Sequence, residues 1–291
     1  MNVAAVQKLT PLSPLLYESL VRAALAEDFG LGGDITSDAT IPPERQATAS
    51  LVARRGGVLA GLDPALFAFR LLDAAARIEI FARDGERLGE GATIATIAAR
   101  AHALLGAERT ALNLLSHLSG IATATARYVD ACSGTGCAIA ETRKTLPGLR
   151  AMQKYAVRAG GGTNHRLRLD DAILIKDNHI AIAGGVSAAL DAVSDRAGHL
   201  VKIEIEVDSL AQLREVLAHR GRVDCVLLDN FSLDDLAAAV RLGAGRVALE
   251  ASGGVTLDSV AAIAATGVNV ISIGALTHSV TALDIGLDIA P

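Results

Sequence analysis

From residue 136 onward the chain alternates short β-rich runs with helical ones, and this alternation restricts the fold more than any other feature. The strand candidates are 137–140, 172–175, 201–205, 223–228, 246–249 and 269–273, with helical patterns at 148–159, 186–196, 210–219, 233–242 and 257–265. Five crossovers between six strands are the mark of successive βαβ units. A parallel sheet of that kind either closes into a barrel or opens as a doubly wound sheet.

The residues just after each strand favour the barrel. The first strand runs into Glu141-Thr142-Arg143-Lys144 and the second into Lys176-Asp177-Asn178-His179. The third carries Glu204 and Glu206, and the fourth ends in Asp229-Asn230. The last two run into Glu250-Ala251-Ser252-Gly253-Gly254 and Ile273-Gly274-Ala275. In a barrel all six ends share one mouth, whereas in an open sheet only the strands beside the switch point share a site. Polar loops alone do not explain a Lys, two Glu and an Asp set in aliphatic runs. Ser252-Gly253-Gly254 and Gly274-Ala275 are small turns rich in backbone N–H donors, which suits them to an anion such as phosphate.

The first hundred residues read differently. A helical pattern spans 13–27, strand-like pieces cover 47–53, 58–62, 78–81 and 92–98, and Asp84-Gly85 marks a turn. A long helix at 102–132 comes next. We therefore expect an α/β protein, with an N-terminal α+β open-faced sandwich domain over 1–115 and an incomplete TIM-like α/β barrel over 116–291. The last residues are expected to pack back on the N-terminal domain.

Half of the 291 residues (51%) are apolar but only 3% are aromatic, so the core must be aliphatic. Mean hydropathy is +0.38. The longest uncharged run, 259–283, is nevertheless broken by Thr266, Gly267, Asn269, Gly274 and His278 and does not read as a membrane span. Lys8, Pro11 and Pro14 interrupt any signal-peptide core, and Cys132, Cys137 and Cys225 are too few for a disulfide framework. These features predict a soluble cytoplasmic protein with structural thiols.

The net charge of −5 argues against nucleic acid and anionic membranes as partners. It hides a local reversal. Residues 141–176 hold eight Lys and Arg against three acids, a net +5, so the remainder carries −10. Arg150, Lys154 and Arg158 read as a solvated helix face. Lys176 ends the apolar run Ala172-Ile173-Leu174-Ile175 and must find an anion, because burying it unpaired is costly. Arg143 and Lys144 sit at an equivalent depth, and Gly160-Gly161-Gly162 reads as a mobile loop delivering His165 and Arg166 to the same mouth. Opposite stand Glu206 and Asp229, suited to Mg²⁺, ribose hydroxyls or a developing cation. Several cations, a phosphate end and separate carboxylates fit glycosyl transfer at an activated ribose.

The runs 141–150, 154–157, 160–166 and 173–179 resemble the quinolinate phosphoribosyltransferase family. So do 27–30 and 33–37 near the start, 108–113 in the long helix, and 228–230, 250–254 and 274–279 later on. The resemblance spans nearly the whole chain. It implies transfer of phosphoribose from phosphoribosyl pyrophosphate to quinolinate with Mg²⁺, giving nicotinate mononucleotide, pyrophosphate and CO₂, a step of NAD synthesis. By motif, Arg109, Thr142, Arg143, Lys144, His165, Arg166 and Lys176 bind substrate, chiefly the quinolinate carboxylates, with Lys144 reaching toward phosphate. Glu206 and Asp229 face ribose and Mg²⁺, directly or through water. Ser252, Gly253, Gly254, Ile273, Gly274 and Ala275 hold the 5′-phosphate. Lys144, Lys176, Glu206 and Asp229 are the implied catalytic residues. The resemblance also implies a homodimer or higher homo-oligomer in which Arg109 enters the neighbouring subunit's site.

Arg168 stands where the family has glycine, and Asp170 where an aromatic or small residue is usual. A left-handed glycine there would resist Arg, so either the backbone differs or Arg168 pairs with Asp170 or Asp171. Three rivals remain: a molybdenum-transport-associated relative sharing the Thr-Arg-Lys-Thr and His-Arg runs, a nicotinate-using phosphoribosyltransferase, and a non-catalytic barrel sensing a phosphorylated ligand. Lys176-Asp177-Asn178-His179 speaks against the first, and Glu206 and Asp229 opposite Lys176 against the last.

Overall fold

A computed structural model describes residues 9–243 and 245–289. After a 3₁₀ turn at Pro14–Leu16, helix α1 (Glu18–Phe29) ends at Gly30, whose φ is +53°. Helix α2 (Ile35–Thr40) starts where Asp34 accepts the Ser37 N–H at 3.0 Å, the side-chain cap an Asp supplies. Then come β1 (Gln46–Ala53), β2 (Gly57–Val58), α3 (Leu62–Leu72), β3 (Arg77–Ile80), β4 (Arg87–Leu88), β5 (Thr93–Arg100) and α4 (Ala101–Ala131).

The expected strand at 58–62 stops at Val58. Gly61, at φ +90°, instead caps α3, and Asp84 accepts the N–H groups of both Gly61 and Leu62 at 3.1 Å. The buried stripe Leu62, Ala65, Leu66 and Phe69 holds that helix in the core.

The remainder comprises β6 (Ala138–Ala140), α5 (Arg150–Ala159), β7 (Ile173–Ile175), α6 (Asp177–Ala183), α7 (Val186–Ser194) and β8 (Ile203–Val207). These are followed by α8 (Leu210–Ala218), β9 (Cys225–Asp229), α9 (Leu233–Gly243), β10 (Ala248–Ser252), α10 (Leu257–Ala265), β11 (Val270–Ser272), α11 (Ala275–His278) and β12 (Ile285–Ile289). Among the described residues no helix is long and apolar enough to cross a membrane.

Two compact units emerge, one of 9–126, 145–161 and 276–289, the other of 127–144 and 162–275. The first is built on an antiparallel sheet ordered β12-β1-β5-β3, with Ala49 opposite Ile289 and Arg77 opposite Ala98. The C-terminal strand therefore closes a sheet begun some 240 positions earlier in the numbering. Alternation buries Ala49, Leu51 and Ala53 on one face of β1, as period-two geometry requires. Helix α5 belongs to this unit. It buries Met152, Gln153, Lys154, Tyr155, Ala156 and Val157 in succession, so it is enclosed all round. The solvated face expected for Arg150, Lys154 and Arg158 is thus corrected: Lys154 is 1% exposed and the two arginines are half-buried.

The second unit holds six parallel strands ordered β6-β11-β10-β9-β8-β7. Four of the five expected crossovers join neighbouring strands. The fifth does not, because β6 and β7 lie at opposite edges and α5 packs with the other unit. The result is an incomplete TIM-like barrel. At its β6 edge Thr163 donates its N–H to Ile139 O at 2.7 Å and forms a lone parallel bridge with Ala140, so the segment after the three glycines is tied down.

Close backbone packing gives a test of the first unit. A Cβ on Gly120 of α4 would overlap the Thr281 carbonyl oxygen, whereas one on Gly89 meets nothing within 4 Å. Gly120→Ala is expected to cost about 1–3 kcal/mol, read as a lower urea midpoint, with Gly89→Ala close to wild type. Equal midpoints for the two variants would contradict the packing.

Candidate active site

In a parallel sheet the side chains of each strand alternate between two faces, and paired positions on neighbouring strands share a face. The register pairs Glu204 with Cys225, Glu206 with Leu227, Leu227 with Glu250, Asp229 with Ser252, and Ser252 with Ser272. One face therefore carries Glu204, Glu206, Cys225, Asp229, Glu250, Ser252 and Ser272. The other carries Ile205, Val226, Leu228, Leu249 and Ile271, all buried, where α8, α9 and α10 pack. The chemistry lines the lumen and the aliphatic residues hold the helices.

At the C-terminal end of the strands, Lys176 Nζ lies 2.7 Å from Glu206 Oε2. The anion expected for Lys176 is this carboxylate, 14% exposed. The expected burial of Lys176 is corrected: its own side chain is 46% exposed, so the pair sits at the open end of the lumen. Asp229 accepts from Asn230 Nδ2 at 2.8 Å, and Asn230, at φ +57°, is the one non-glycine with positive φ among the described residues. Its backbone N–H donates to Ser252 O at 2.9 Å. Gly253 cannot carry a Cβ here: its φ is +97° and the added atom would overlap Asn230 Oδ1. A cavity of about 310 Å³ opens beside these groups, lined by Asp177, Ile180, Glu206, Asp208, Gln212 and Asp229.

Beyond β6, Thr142 Oγ1 accepts the Lys144 N–H at 3.1 Å and shapes the turn that presents Arg143 and Lys144. Arg143 Nε and Arg166 Nε are both buried with no hydrogen-bond partner. Arg166 anchors its Nη1 on Ala172 O at 3.1 Å. Desolvation lowers its pKa and the nearby charge of Arg143 lowers it further. Two crowded guanidinium groups with unsatisfied donors require an anion.

Beneath them lies a buried polar cluster. Glu141, fully buried, accepts the His165 N–H at 3.1 Å. His165 Nδ1 accepts the Arg166 N–H at 2.8 Å, and its Nε2 lies 3.0 Å from Glu204 Oε2 and 3.7 Å from Glu250 Oε1. The His165 ring is therefore engaged by its own loop and by the lumen carboxylates. Burial pushes the Glu250 carboxyl up to about 7, helped by the charges of Glu204 and Glu141 and opposed by His165 and Ser272. Burial likewise raises the Cys225 thiol, with Glu204 and Glu250 adding to the effect.

Donor atoms able to face a cation thus occur at two levels. Glu206 and Asp229 stand at the cavity, and the ligating atoms of His165, Glu204 and Glu250 lie within 4.8 Å of one another deeper down. Of the remaining expected residues, Ile273 is buried and donates its N–H to Ala140 O at 2.8 Å. Gly274 comes after it, Ala275 opens α11, and Gly254 keeps a positive φ of +58°. Arg109 belongs to the other unit, on α4, 63% exposed and 3.9 Å from Glu108. Arg168 pairs with Asp170 at 3.0 Å in the open, while Asp171 accepts the Leu167 and Arg168 N–H groups, so the loop accepts Arg168 without a left-handed residue. Sequence reasoning passed over the depth of Glu141, Glu204 and Glu250. The available signal was a charged residue inside or abutting a buried aliphatic run.

Family models for the quinolinate phosphoribosyl transferase N-terminal domain and C-terminal domain match residues 34–119 and 121–288. The chain is 50% identical over 274 residues to the nicotinate-nucleotide pyrophosphorylase [carboxylating] of Mycobacterium leprae, covering 92% of this chain and 95% of that one. To the probable enzyme of the same name in Bacillus subtilis it is 43% identical over 278 residues, covering 96% and 95%. The solved nicotinate-nucleotide pyrophosphorylase from Francisella tularensis superposes with a TM-score of 0.92 at 38% identity, covering 98% of this chain and 99% of that one.

Glu250 gives the lumen a pH signature. Unfolded, its carboxyl ionises near 4.5; folded, it keeps its proton to about 7. The folded state holds the extra proton between these values, so this contribution to stability is complete below 4.5 and lost as pH rises through 7. Glu250→Gln keeps the shape and removes the charge. Its Tm is expected to lie nearest wild type at pH 4 and to exceed it increasingly toward pH 8; a difference independent of pH would contradict the burial argument.

Proposed function

The chain belongs to the quinolinate phosphoribosyl transferase family, and on that premise we propose that its lumen binds quinolinate beside phosphoribosyl pyrophosphate. It is an enzyme of this family, a phosphoribosyltransferase of NAD biosynthesis. The observation that carries the substrate reading is the pair of buried, unpartnered Nε–H donors on Arg143 and Arg166. The adjacent carboxylates of quinolinate would satisfy both, with Lys144 and Lys176 adding positive charge and His165 beside them. Held there, the ring nitrogen is oriented toward C1 of the ribose, and orientation of that kind removes much of the entropic barrier.

Bond formation from the ring nitrogen to C1 expels pyrophosphate. The nitrogen then carries positive charge, which stabilises the electron pair left on the ring when the neighbouring carboxylate departs as CO₂, and a proton takes its place. Glu206 and Asp229 would face the ribose and the cation character that develops at C1. The positive-φ turns at Gly253 and Gly254, with Ser252, Ile273, Gly274 and Ala275, offer backbone donors to the 5′-phosphate.

Glu206 and Asp229 also fit Mg²⁺. Both are hard oxygen donors at a cavity, and one or two carboxylates together with substrate phosphates and water is the usual set for this ion. When bound, Mg²⁺ would neutralise charge on the leaving pyrophosphate. Arg109 is exposed on α4, and a homodimer or higher oligomer in which it reaches the neighbouring subunit's lumen completes the proposal. Unpaired Cys132, Cys137 and Cys225 support a cytoplasmic location.

Purified protein with quinolinate, phosphoribosyl pyrophosphate and Mg²⁺ is expected to form nicotinate mononucleotide. Lys176→Ala, which also strands the Glu206 charge, should lower kcat/KM at least about tenfold. Ligand binding without product would overturn the substrate reading in favour of a sensor, and normal activity of Lys176→Ala would remove that residue from the site.

A further inference from the structure

The buried carboxylates lie below the residues assigned to substrate, yet they are linked to them by a continuous chain of hydrogen bonds. Glu141 accepts the backbone N–H of His165, His165 Nδ1 accepts the backbone N–H of Arg166, and His165 Nε2 reaches Glu204 Oε2 at 3.0 Å. Because a backbone N–H can only donate, Nδ1 must be the acceptor, and the ring proton resides on Nε2, directed at Glu204. Thr163 is pinned to β6 at the start of the same segment, and Arg166 Nη1 is pinned to Ala172 at its end. These contacts hold the segment that carries the Arg166 guanidinium at both its ends and at its middle. A cluster of three acids in a barrel centre is not needed for packing, since aliphatic residues of similar volume fill such positions well.

We propose that His165 is a positioning residue, seated on Glu204 with Glu250 behind it and held at its backbone by Glu141, whose task is to aim Arg166 at the bound carboxylates. This rests on the reading that the lumen binds quinolinate. It changes the part given to His165: the ring acts through its neighbour and keeps its Nε2 proton on Glu204 while substrate is bound. Glu204 matters as a hydrogen-bond acceptor, so a glutamine oxygen can replace it and an aliphatic side chain cannot.

The test compares Glu204→Gln and Glu204→Leu with wild type, measuring quinolinate affinity by calorimetry and KM for each substrate. Glu204→Leu is expected to weaken quinolinate about tenfold or more, the scale on which loss of a supporting hydrogen bond or a misplaced binding group is felt. Its KM for phosphoribosyl pyrophosphate should stay within about twofold, and Glu204→Gln should restore quinolinate binding to within about threefold. Unchanged quinolinate affinity in Glu204→Leu overturns the proposal. So does a parallel rise in both KM values that glutamine fails to rescue, which is the outcome of a merely structural role.

Nitrogen-15 spectra of the wild-type imidazoles, with His165 assigned by its loss in His165→Gln, need neither Glu204 variant to fold and no turnover. The ring should show the neutral Nε2–H form with and without quinolinate. A ring that loses this form on adding quinolinate, or that carries the shift of a metal-bound nitrogen, overturns the proposal. If wild-type protein fails to bind quinolinate while His165 shows the Nε2–H form, the substrate reading fails and the seat of the ring stands.

Discussion

Period-two alternation in a parallel sheet covered on one face by helices is the constraint that shapes everything else in the barrel unit. The helix-facing side must be aliphatic, and Ile205, Val226, Leu228, Leu249 and Ile271 make it so. That commits the alternate positions to the lumen, so Glu204 and Glu206, two residues apart on β8, must point the same way. Register then decides their company. Glu206 falls level with Leu227 and Glu250, and Asp229 with Ser252 near the strand ends. No loop is needed to bring these groups together.

Charge is layered within that lumen. Carboxylates occupy the depth: Glu141 and Glu250 are buried with the 13%-exposed Glu204 beside them, and burial holds the Glu250 carboxyl protonated to about 7. Arg143 lies close enough to disfavour the charge of Arg166, and each carries an unmet Nε–H donor. The protein thereby carries unsatisfied groups of both signs, which destabilise the fold while no ligand is bound. Clusters of that kind concentrate at functional sites, because the strain is relieved only by the ligand that fits. An anion between the arginines is the occupant proposed above, and it would meet both unmet Nε–H donors.

Much of this is legible in the sequence, for reasons that differ by element. The six strands are readable because Val-, Ile- and Leu-rich runs stand between helical patterns, and polar residues embedded in those runs, such as Glu204 and Asp229, advertise the lumen. The boundary at 58–62 is misread because Gly61 and Asp84, 23 positions apart, cap a helix that local propensity does not reveal. Lys154 looks solvent-facing since charge is taken as a sign of exposure, yet its helix is buried on every side. The broken crossover at α5 is a tertiary fact: nothing local says that a helix between two strands will pack with another unit. His165 is readable as a polar residue of the mouth, but the direction of its ring depends on Glu204, which is distant in sequence.

If the crowded cations select a dicarboxylate, quinolinate must outbind nicotinate, which lacks one carboxylate. Calorimetric titration of the wild-type protein with each of the two ligands makes that comparison. A second carboxylate meeting a guanidinium contributes about 1.5–3 kcal/mol, so quinolinate is expected to bind at least about tenfold more tightly. Equal affinities would contradict selection by the arginine pair.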